Sequence, residues 1–429
     1  QILGIGQTGH IGFNEPGSST SSRTRLVALD SLTRRVAAAD FFGTENVPVE
    51  AITMGVATIL EAKEIALLAT GEHKAAIVKR AVEGEMDPSV AATYLQQHPH
   101  VTVHLDRAAA AELTRVKTPW VLGEIAWTRA LEIEAVVWLA RQTGKSVLKL
   151  DDDDYREHRL HVLLTRHGSS AALNGLVFNA LSAKVRGKSK LPRGRRVIAF
   201  SPHPDDDVIS AGGVLSKLLS NENDIWIAYQ TSGNIAVFDH EVRRYVRFMR
   251  QVTEDWNETS AKLQACFDAI ERHLDEKRPG EVDAPAVLML KRRIREAEAV
   301  SAIETLGFRP EQARFLNLPF YQTGKVKKDP VGERDVGITR ELLEEIRPDL
   351  ILVAGDHSDP HGTHRMCQEA VERALTRYSG PRPEIWLYRG AWQEWSVTEA
   401  DLLVPLSEEE LRVKISAIFK HQSQKDRAP

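Results

Sequence analysis

The sequence predicts an α/β protein built as two Rossmann-like three-layer domains with mostly parallel sheets. Three observations carry this expectation. Short apolar runs alternate with stretches of helical spacing, and no fixed-period repeat interrupts them, which is the pattern of strand–helix–strand units. Two of the apolar runs end in clusters of His and Asp, and open α/β sheets place their chemistry at the carboxyl edge of the strands. The length, 429 residues, exceeds the usual size of one domain.

Taken in order, Gly4, Gly6 and Gly9 suit a tight strand-to-helix turn that leaves His10 at a helix start. The segment from Thr118 to Ala183 matches neither chemical motif. Within it, Ala135–Ala140 reads as an apolar helix, and Trp120, Trp127 and Trp138 read as packing residues rather than a sugar-stacking platform. Asp151 to Asp154 read as a solvated turn, because four adjacent carboxylates cannot all face one ion. The basic, Gly-containing stretch Lys184–Arg196 reads as an extended linker, so the expected domains are 1–183 and 197–429, joined by 184–196. Val197–Phe200 and Ile225–Tyr229 are expected buried strands, the second closing in Thr231-Ser-Gly-Asn234, a loop over the site. Ile338, Leu342, Leu343 and Ile346 mark one helix face, ended by Pro348 before the strand Leu350–Ala354.

Composition narrows the function classes. Apolar residues make up 42%, enough for real cores, and a net charge of −4 argues against nucleic acid or an anionic membrane surface as partner. No apolar stretch approaches the roughly 18 residues of a membrane span, and no signal-peptide pattern follows Gln1. Cys266 and Cys367 are too few and too far apart for a disulfide framework, which points to a reducing, cytoplasmic setting. The expected partner is a small molecule, with homo-oligomerisation left open.

The richest stretch is Ser201-Pro-His-Pro-Asp-Asp-Asp207, directly after Val197–Phe200; a second cluster, Asp359-Pro-His361-Gly-Thr-His364, follows Leu350–Ala354. His and Asp are ligands for a zinc-type divalent ion, and one further carboxylate is what a metal-activated water needs as its base. The two clusters together point to a metal hydrolase. They resemble the PIG-L/LmbE-type deacetylases, which remove acetyl from N-acetylated sugars. The resemblance implies His203, Asp206 and His364 as ligands of Zn2+ or a similar ion, Asp205 as general base and His361 as the residue steadying the tetrahedral intermediate. It also covers Arg295-Glu-Ala-Glu298, which makes Arg295 a candidate substrate-binding residue. Asp207 stands where the family usually has Glu, so a hydrogen bond made there should be shifted.

The stretch Leu3–Pro16, with Ser22–Arg25, Ala51–Leu60, Ala69–Lys74 and Leu95–Pro99, resembles the glucosamine-6-phosphate deaminase family over about the first 120 residues. This implies that His10 opens the sugar ring, Glu15 supports it and Lys74 holds the substrate phosphate. Thr8 replaces the family's Asp, so His10 should be a poorer proton carrier, and Asp40 replaces a phosphate-binding Arg. The family's proton-abstracting Asp and phosphate loop are expected upstream of Gln1, which makes the N-terminal domain incomplete. The pairing suggests an enzyme that deacetylates an N-acetylglucosamine-type substrate, 6-phosphorylated or not, and passes it to the deaminase-like half. The alternative is that only the deacetylase works, the N-terminal half being a sugar-binding or oligomerisation module.

Overall fold

The computed structural model describes residues 1–38, 41, 46–257, 260–278, 281–324, 328–355, 362–390 and 394–424. Asp40 and His361 therefore lie outside the described residues. The chain divides into two compact units, Gln1–Ala183 and Lys184–Pro429.

In the first unit, β1 (Ile2–Gly4) leads through β2 (Arg25–Ala28), α1 (Ser31–Ala37), β3 (Glu50–Thr53) and α2 (Val56–Leu60) to β4 (Ile65–Ala69). Then come α3 (Ala75–Glu83), β5 (Val101–Leu105) and α4 (Thr114–Lys117). The strands β1, β4 and β5 form a parallel sheet in that order, and β2 pairs antiparallel with β3. Alternation along β4 buries Ile65, Leu67 and Ala69 against Ile59 and Val78 from α2 and α3. On the other face Ile2 and Leu68 are 74% and 46% exposed, so this sheet carries its core on one side.

Four helices complete the unit: α5 (Arg129–Thr143), α6 (Asp152–Glu157), α7 (His161–His167) and α8 (Ser170–Ser182). Buried Trp120 packs against Trp127 and Trp138 at ring separations of 5.9 and 5.4 Å. The run Asp151–Asp154 is not a solvated turn. Asp151 caps α6, accepting from the Asp154 amide at 3.0 Å, while Asp154 accepts from the Asp151 amide at 2.9 Å. Lys145 reaches both carboxylates, at 3.0 and 2.7 Å. Carboxylates at this position satisfy amides that the first helical turn leaves open.

The second unit is a three-layer domain. Its strands are β6 (Arg196–Ser201), β7 (Asp224–Tyr229), β8 (Ala313–Phe315), β9 (Leu350–Ala354) and β10 (Glu384–Tyr388). All pair in parallel, in the order β10-β9-β6-β7-β8. The helices are α9 (Gly212–Leu219), α10 (Asp239–Asp255), α11 (Ala261–Glu276), α12 (Pro285–Thr305), α13 (Glu333–Ile346), α14 (Thr363–Leu375) and α15 (Glu408–Ile418). Along β6, Val197 and Ala199 face a core completed by α9, α12 and α15, while Ile198 and Phe200 face one completed by α13 and α14. A strand buried on both faces reads as a continuous apolar run, as this one does.

The segment read as an extended linker is instead packed into this unit. Lys184 Nζ donates to the Val397 and Thr398 carbonyls at 3.2 and 2.8 Å, and Leu191 is buried in the core. Asn221 and Asn223 donate side-chain bonds to the Lys188 and Pro192 carbonyls at 2.8 Å each. Backbone pairing and one buried leucine outweigh repulsion among solvated cations, which is weak in water. Cys266 is exposed and Cys367 is buried, and among the described residues no disulfide joins them.

Helices α10, α11 and α12 are tied by a network of alternating charge around the buried Lys291. Lys291, 3% exposed, donates to Asp239 at 2.6 Å and Asp283 at 2.7 Å, and Lys277 bonds the same carboxylates at 2.9 and 2.7 Å. Burial disfavours the Asp239 charge, but Lys291 and Lys277 outweigh it and hold its pKa below the ordinary 3.8. Lys291→Ala should destabilise the unit by about 1–2 kcal/mol in urea titrations, because it removes the buried ammonium from a half-buried carboxylate pair that Lys277 still partners. The stabilisation that wild type draws from Asp239 is complete above the unfolded value of 3.8 and is lost as pH falls through the lowered folded value. The gap between wild type and variant should therefore shrink below about pH 4.

Candidate metal centre and a second histidine site

The five-stranded sheet reverses direction at β6: the chain moves outward through β7 and β8, then returns to lay β9 on the other side. The crevice beyond the carboxyl ends of β6 and β9 is a switch point, where open sheets bind their ligands. Beyond β6 the chain turns tightly. Ser201 Oγ lies 2.6 Å from the His203 carbonyl and accepts from the Asp207 amide at 3.1 Å; the Asp205 amide donates to that same carbonyl at 2.8 Å. This turn swings Asp206 back so that its Oδ2 accepts from the His203 amide at 2.9 Å.

Beyond β9, α14 opens at Thr363 and presents His364 in its first turn. His364 Nε2 lies 3.2 Å from Asp206 Oδ2, and His203 Nδ1 lies 3.1 Å from the same oxygen. One ligand atom from each of His203, Asp206 and His364 lies within 4.8 Å of the others. Asp206 and His364 are buried, at 3% and 1% exposure. Burial opposes the Asp206 charge, yet the His364 and His203 imidazoles reverse that and hold the carboxyl well below the usual range. Two imidazoles and an ionised carboxylate converging in a buried crevice fit a divalent ion of the zinc type.

The three consecutive aspartates separate by environment. Asp205 points to the buried Arg295 of α12, whose Nη2 lies 3.1 Å from Asp205 Oδ2. Gly233 makes this closeness feasible: at φ +60° a Cβ there would lie 2.9 Å from Arg295 Nε and 3.0 Å from Pro204 Cδ. Asp207 turns away from the crevice, 3.1 Å from Ser201 Oγ, and accepts from Tyr229 at 3.2 Å. Burial above all, with the Asp205 and Asp206 charges adding, pushes its pKa up to about 7. The hydrogen bonds of Asp207 thus brace its own turn.

Sequence reasoning missed several residues of this region. Tyr321, 4% exposed, meets the His203 ring edge-on at 6.1 Å, and Lys328 Nζ lies 4.2 Å from the Tyr321 ring centre. Burial pushes Lys328 down to about 8. Glu298, buried on α12, accepts from the Ser423 amide and hydroxyl at 2.7 Å each. His421 lies just before that tie and is 4% exposed. Tyr321, Lys328 and His421 carry no spacing signal, since they arrive from the connection after β8 and from the C-terminal segment, whereas Glu298 closes the Arg295–Glu298 stretch already singled out in the sequence.

In the first unit, the turn after β1 folds His10 over Gly6, where a Cβ would lie 2.2 Å from His10 Nε2. The Nδ1 edge faces Glu15 Oε2 at 3.1 Å, Thr8 Oγ1 at 3.0 Å and Thr33 Oγ1 at 3.3 Å. Thr8 Oγ1 also donates to Glu15 Oε2 at 3.1 Å. A carboxylate can only accept, so Nδ1 carries the proton and Nε2 is the basic nitrogen. Thr8 therefore does not leave His10 without a carboxylate, because Glu15 supplies one directly. Lys74 ends the turn before α3, and burial lowers its pKa. Here positive φ at Gly71, +87°, lets the chain bend while its amide donates to the Asp106 carboxylate at 3.1 and 3.0 Å.

The sequence pattern of the GlcNAc-PI de-N-acetylase (PIG-L) family matches residues 198–375, and that of the glucosamine-6-phosphate isomerases/6-phosphogluconolactonases matches residues 1–104. A glucosamine-6-phosphate deaminase-like protein of Bacteroides thetaiotaomicron is 43% identical over 449 aligned residues, covering 100% of this chain and 68% of its own length. The chain belongs to that deaminase-like family, in which a glucosamine-6-phosphate deaminase-like domain is fused to a PIG-L-type deacetylase-like domain. The glucosamine-6-phosphate deaminase of Rhodopirellula baltica is 55% identical over 115 residues, 27% of this chain and 46% of that protein, so the chain spans under half of this relative's length. Among solved structures, the N,N'-diacetylchitobiose deacetylase of Pyrococcus horikoshii is 16% identical, with a TM-score of 0.32 over 54% of this chain and 72% of its own. Among the described residues no helix is long and apolar enough to cross a membrane.

The convergence of His203, Asp206 and His364 leads to a direct test. Elemental analysis of purified protein should find about one equivalent of divalent metal, because three protein ligands define one open site. His364→Ala should lose most of it, and full retention would remove His364 from the ligand set.

Proposed function

We propose that the second unit is a zinc-dependent N-deacetylase of an N-acetylglucosamine-type substrate, and that the first is a glucosamine-6-phosphate deaminase/isomerase-type site acting on the product. The observation that supports the first half most is the His203–Asp206–His364 cluster with Asp205 beside it, at the switch point of the sheet. A zinc-type ion in this cluster would polarise the acetamide carbonyl and make water acidic enough to attack near neutral pH. Asp205 takes the proton from the attacking water and returns it to the departing amine. Arg295, 3.1 Å away, holds the Asp205 carboxylate in place. His361 is assigned the developing oxyanion on the strength of the family resemblance.

In the first unit, His10 Nε2 takes up and returns the ring proton of the amino sugar while Glu15 holds the Nδ1 proton, and Lys74 meets the phosphate. Deacetylation yields the free amine that a deaminase-type site requires, and one chain carrying both sites raises the local concentration of that intermediate. Two cysteines with no disulfide between them suit a reducing, cytoplasmic setting. A second reading, in which the first unit only binds sugar or assembles, is favoured by Thr8, whose hydroxyl replaces a carboxylate charge beside His10. Thr8→Asp in the full-length protein should raise ammonia release from glucosamine 6-phosphate; no change or a fall supports the second reading.

The roles of Asp205 and Asp206 separate under mutation. Asp205→Asn keeps the ligands, so metal should stay bound while acetate release from N-acetylglucosamine or its 6-phosphate drops roughly 10²–10⁴-fold. Asp206→Asn removes the anionic ligand, so metal and activity should fall together and recover partly at high zinc. A fully active Asp205→Asn would overturn the assignment of the base.

A further inference from the structure

His421 immediately precedes a short helical turn, Gln422–Gln424, that docks on α12. The docking is specific: Ser423 gives both its amide and its hydroxyl to the buried Glu298 carboxylate at 2.7 Å. Glu298 stands three residues after Arg295, a spacing that places both on one helix face, and Arg295 is the partner of Asp205 at 3.1 Å. The C-terminal turn is thereby fastened beside the guanidinium that flanks the metal cluster. His421 is 4% exposed, and among the described residues neither of its ring nitrogens has a hydrogen-bond partner. Arg295 Nε and Nη1, also buried, likewise have none among them. Buried polar atoms without partners are costly, and a cluster of them beside a reactive crevice marks where a ligand supplies the missing bonds.

We propose that His421 is a substrate-contacting residue of the deacetylase site, its imidazole hydrogen-bonded to a ring hydroxyl of the amino sugar. The inference rests on the deacetylase reading and adds the residue and the part of the substrate it reads. A neutral imidazole offers one donor and one acceptor, the combination a hydroxyl matches. An anionic group such as phosphate would need the protonated ring. Burial, with Arg295 adding to it, outweighs the Asp205 and Asp206 charges and pushes His421 down to about 4, so the ring stays neutral at working pH. Phosphate is thus disfavoured at this position.

The test compares wild type, His421→Phe and His421→Asn as zinc-loaded full chains, with acetate release and metal content measured on each. The substrates are N-acetylglucosamine and its 3-deoxy, 4-deoxy and 6-deoxy analogues. His421→Phe fills the same space without polar atoms, so metal content should hold and thermal stability should hold or rise. Its kcat/KM for N-acetylglucosamine should fall roughly 10- to 100-fold, the effect of leaving a buried hydroxyl unpaired. His421→Asn should recover part of the loss. One deoxy analogue should be poor with wild type yet no worse than N-acetylglucosamine with His421→Phe, the coupling that identifies the hydroxyl. Unchanged kcat/KM in His421→Phe, or a loss that couples to none of the three hydroxyls, overturns the proposal and leaves the deacetylase reading standing. Metal-loaded wild type that neither releases acetate from N-acetylglucosamine nor binds it overturns the deacetylase reading and this inference with it.

Discussion

The second unit turns on one buried carboxylate. Asp206 accepts from the amide of His203 and lies against the imidazoles of both His203 and His364. A carboxylate this enclosed would ordinarily prefer to be neutral, and it is the two imidazoles that keep it charged. Each group makes sense only in the presence of the others. The sheet order is what assembles them, since β6 and β9 are far apart in sequence but adjacent in space. Had the chain continued outward past β8, His364 would have been carried to the far edge.

Around that centre, three adjacent aspartates receive three different environments. Asp206 faces the two histidines, Asp205 faces Arg295, and Asp207 is buried against Ser201 and Tyr229. Neighbouring carboxylates repel, so three charges in one turn would be unstable without such separation. Pushing the Asp207 pKa up to about 7 lightens that repulsion, while Arg295 balances Asp205. The role proposed for Asp205 depends on this sorting, which leaves its carboxylate neither enclosed by the two histidines nor buried against Tyr229.

The first unit solves a related problem by different means. His10 has its Nδ1 edge surrounded by Thr8, Glu15 and Thr33, which sets the tautomer and leaves Nε2 as the basic atom. Gly6 is the steric condition, since any side chain there would occupy the space of the ring. The Thr8 hydroxyl donates to Glu15, a link that a carboxylate at that position could not make.

The strands Val197–Phe200, Ile225–Tyr229 and Leu350–Ala354 were legible as apolar runs, because strands buried on both faces must be apolar throughout. The chemistry at their ends was legible for the same reason, since His203 to Asp207 and His364 follow them directly. Asp151–Asp154 and Lys184–Arg196 read differently in sequence and in structure: charge alone does not reveal that Asp151 caps a helix or that Leu191 anchors a basic segment. By itself, then, the sequence determined the fold class and the two stretches that supply the His203–Asp206–His364 cluster, both of which are local patterns. Only the tertiary structure decided that Tyr229 holds Asp207, that Tyr321 meets the His203 ring, and that His421 arrives beside the Arg295–Asp205 pair. Those placements depend on strand order and on one glutamate gripping one serine, contacts between residues too distant in sequence for any local pattern to record.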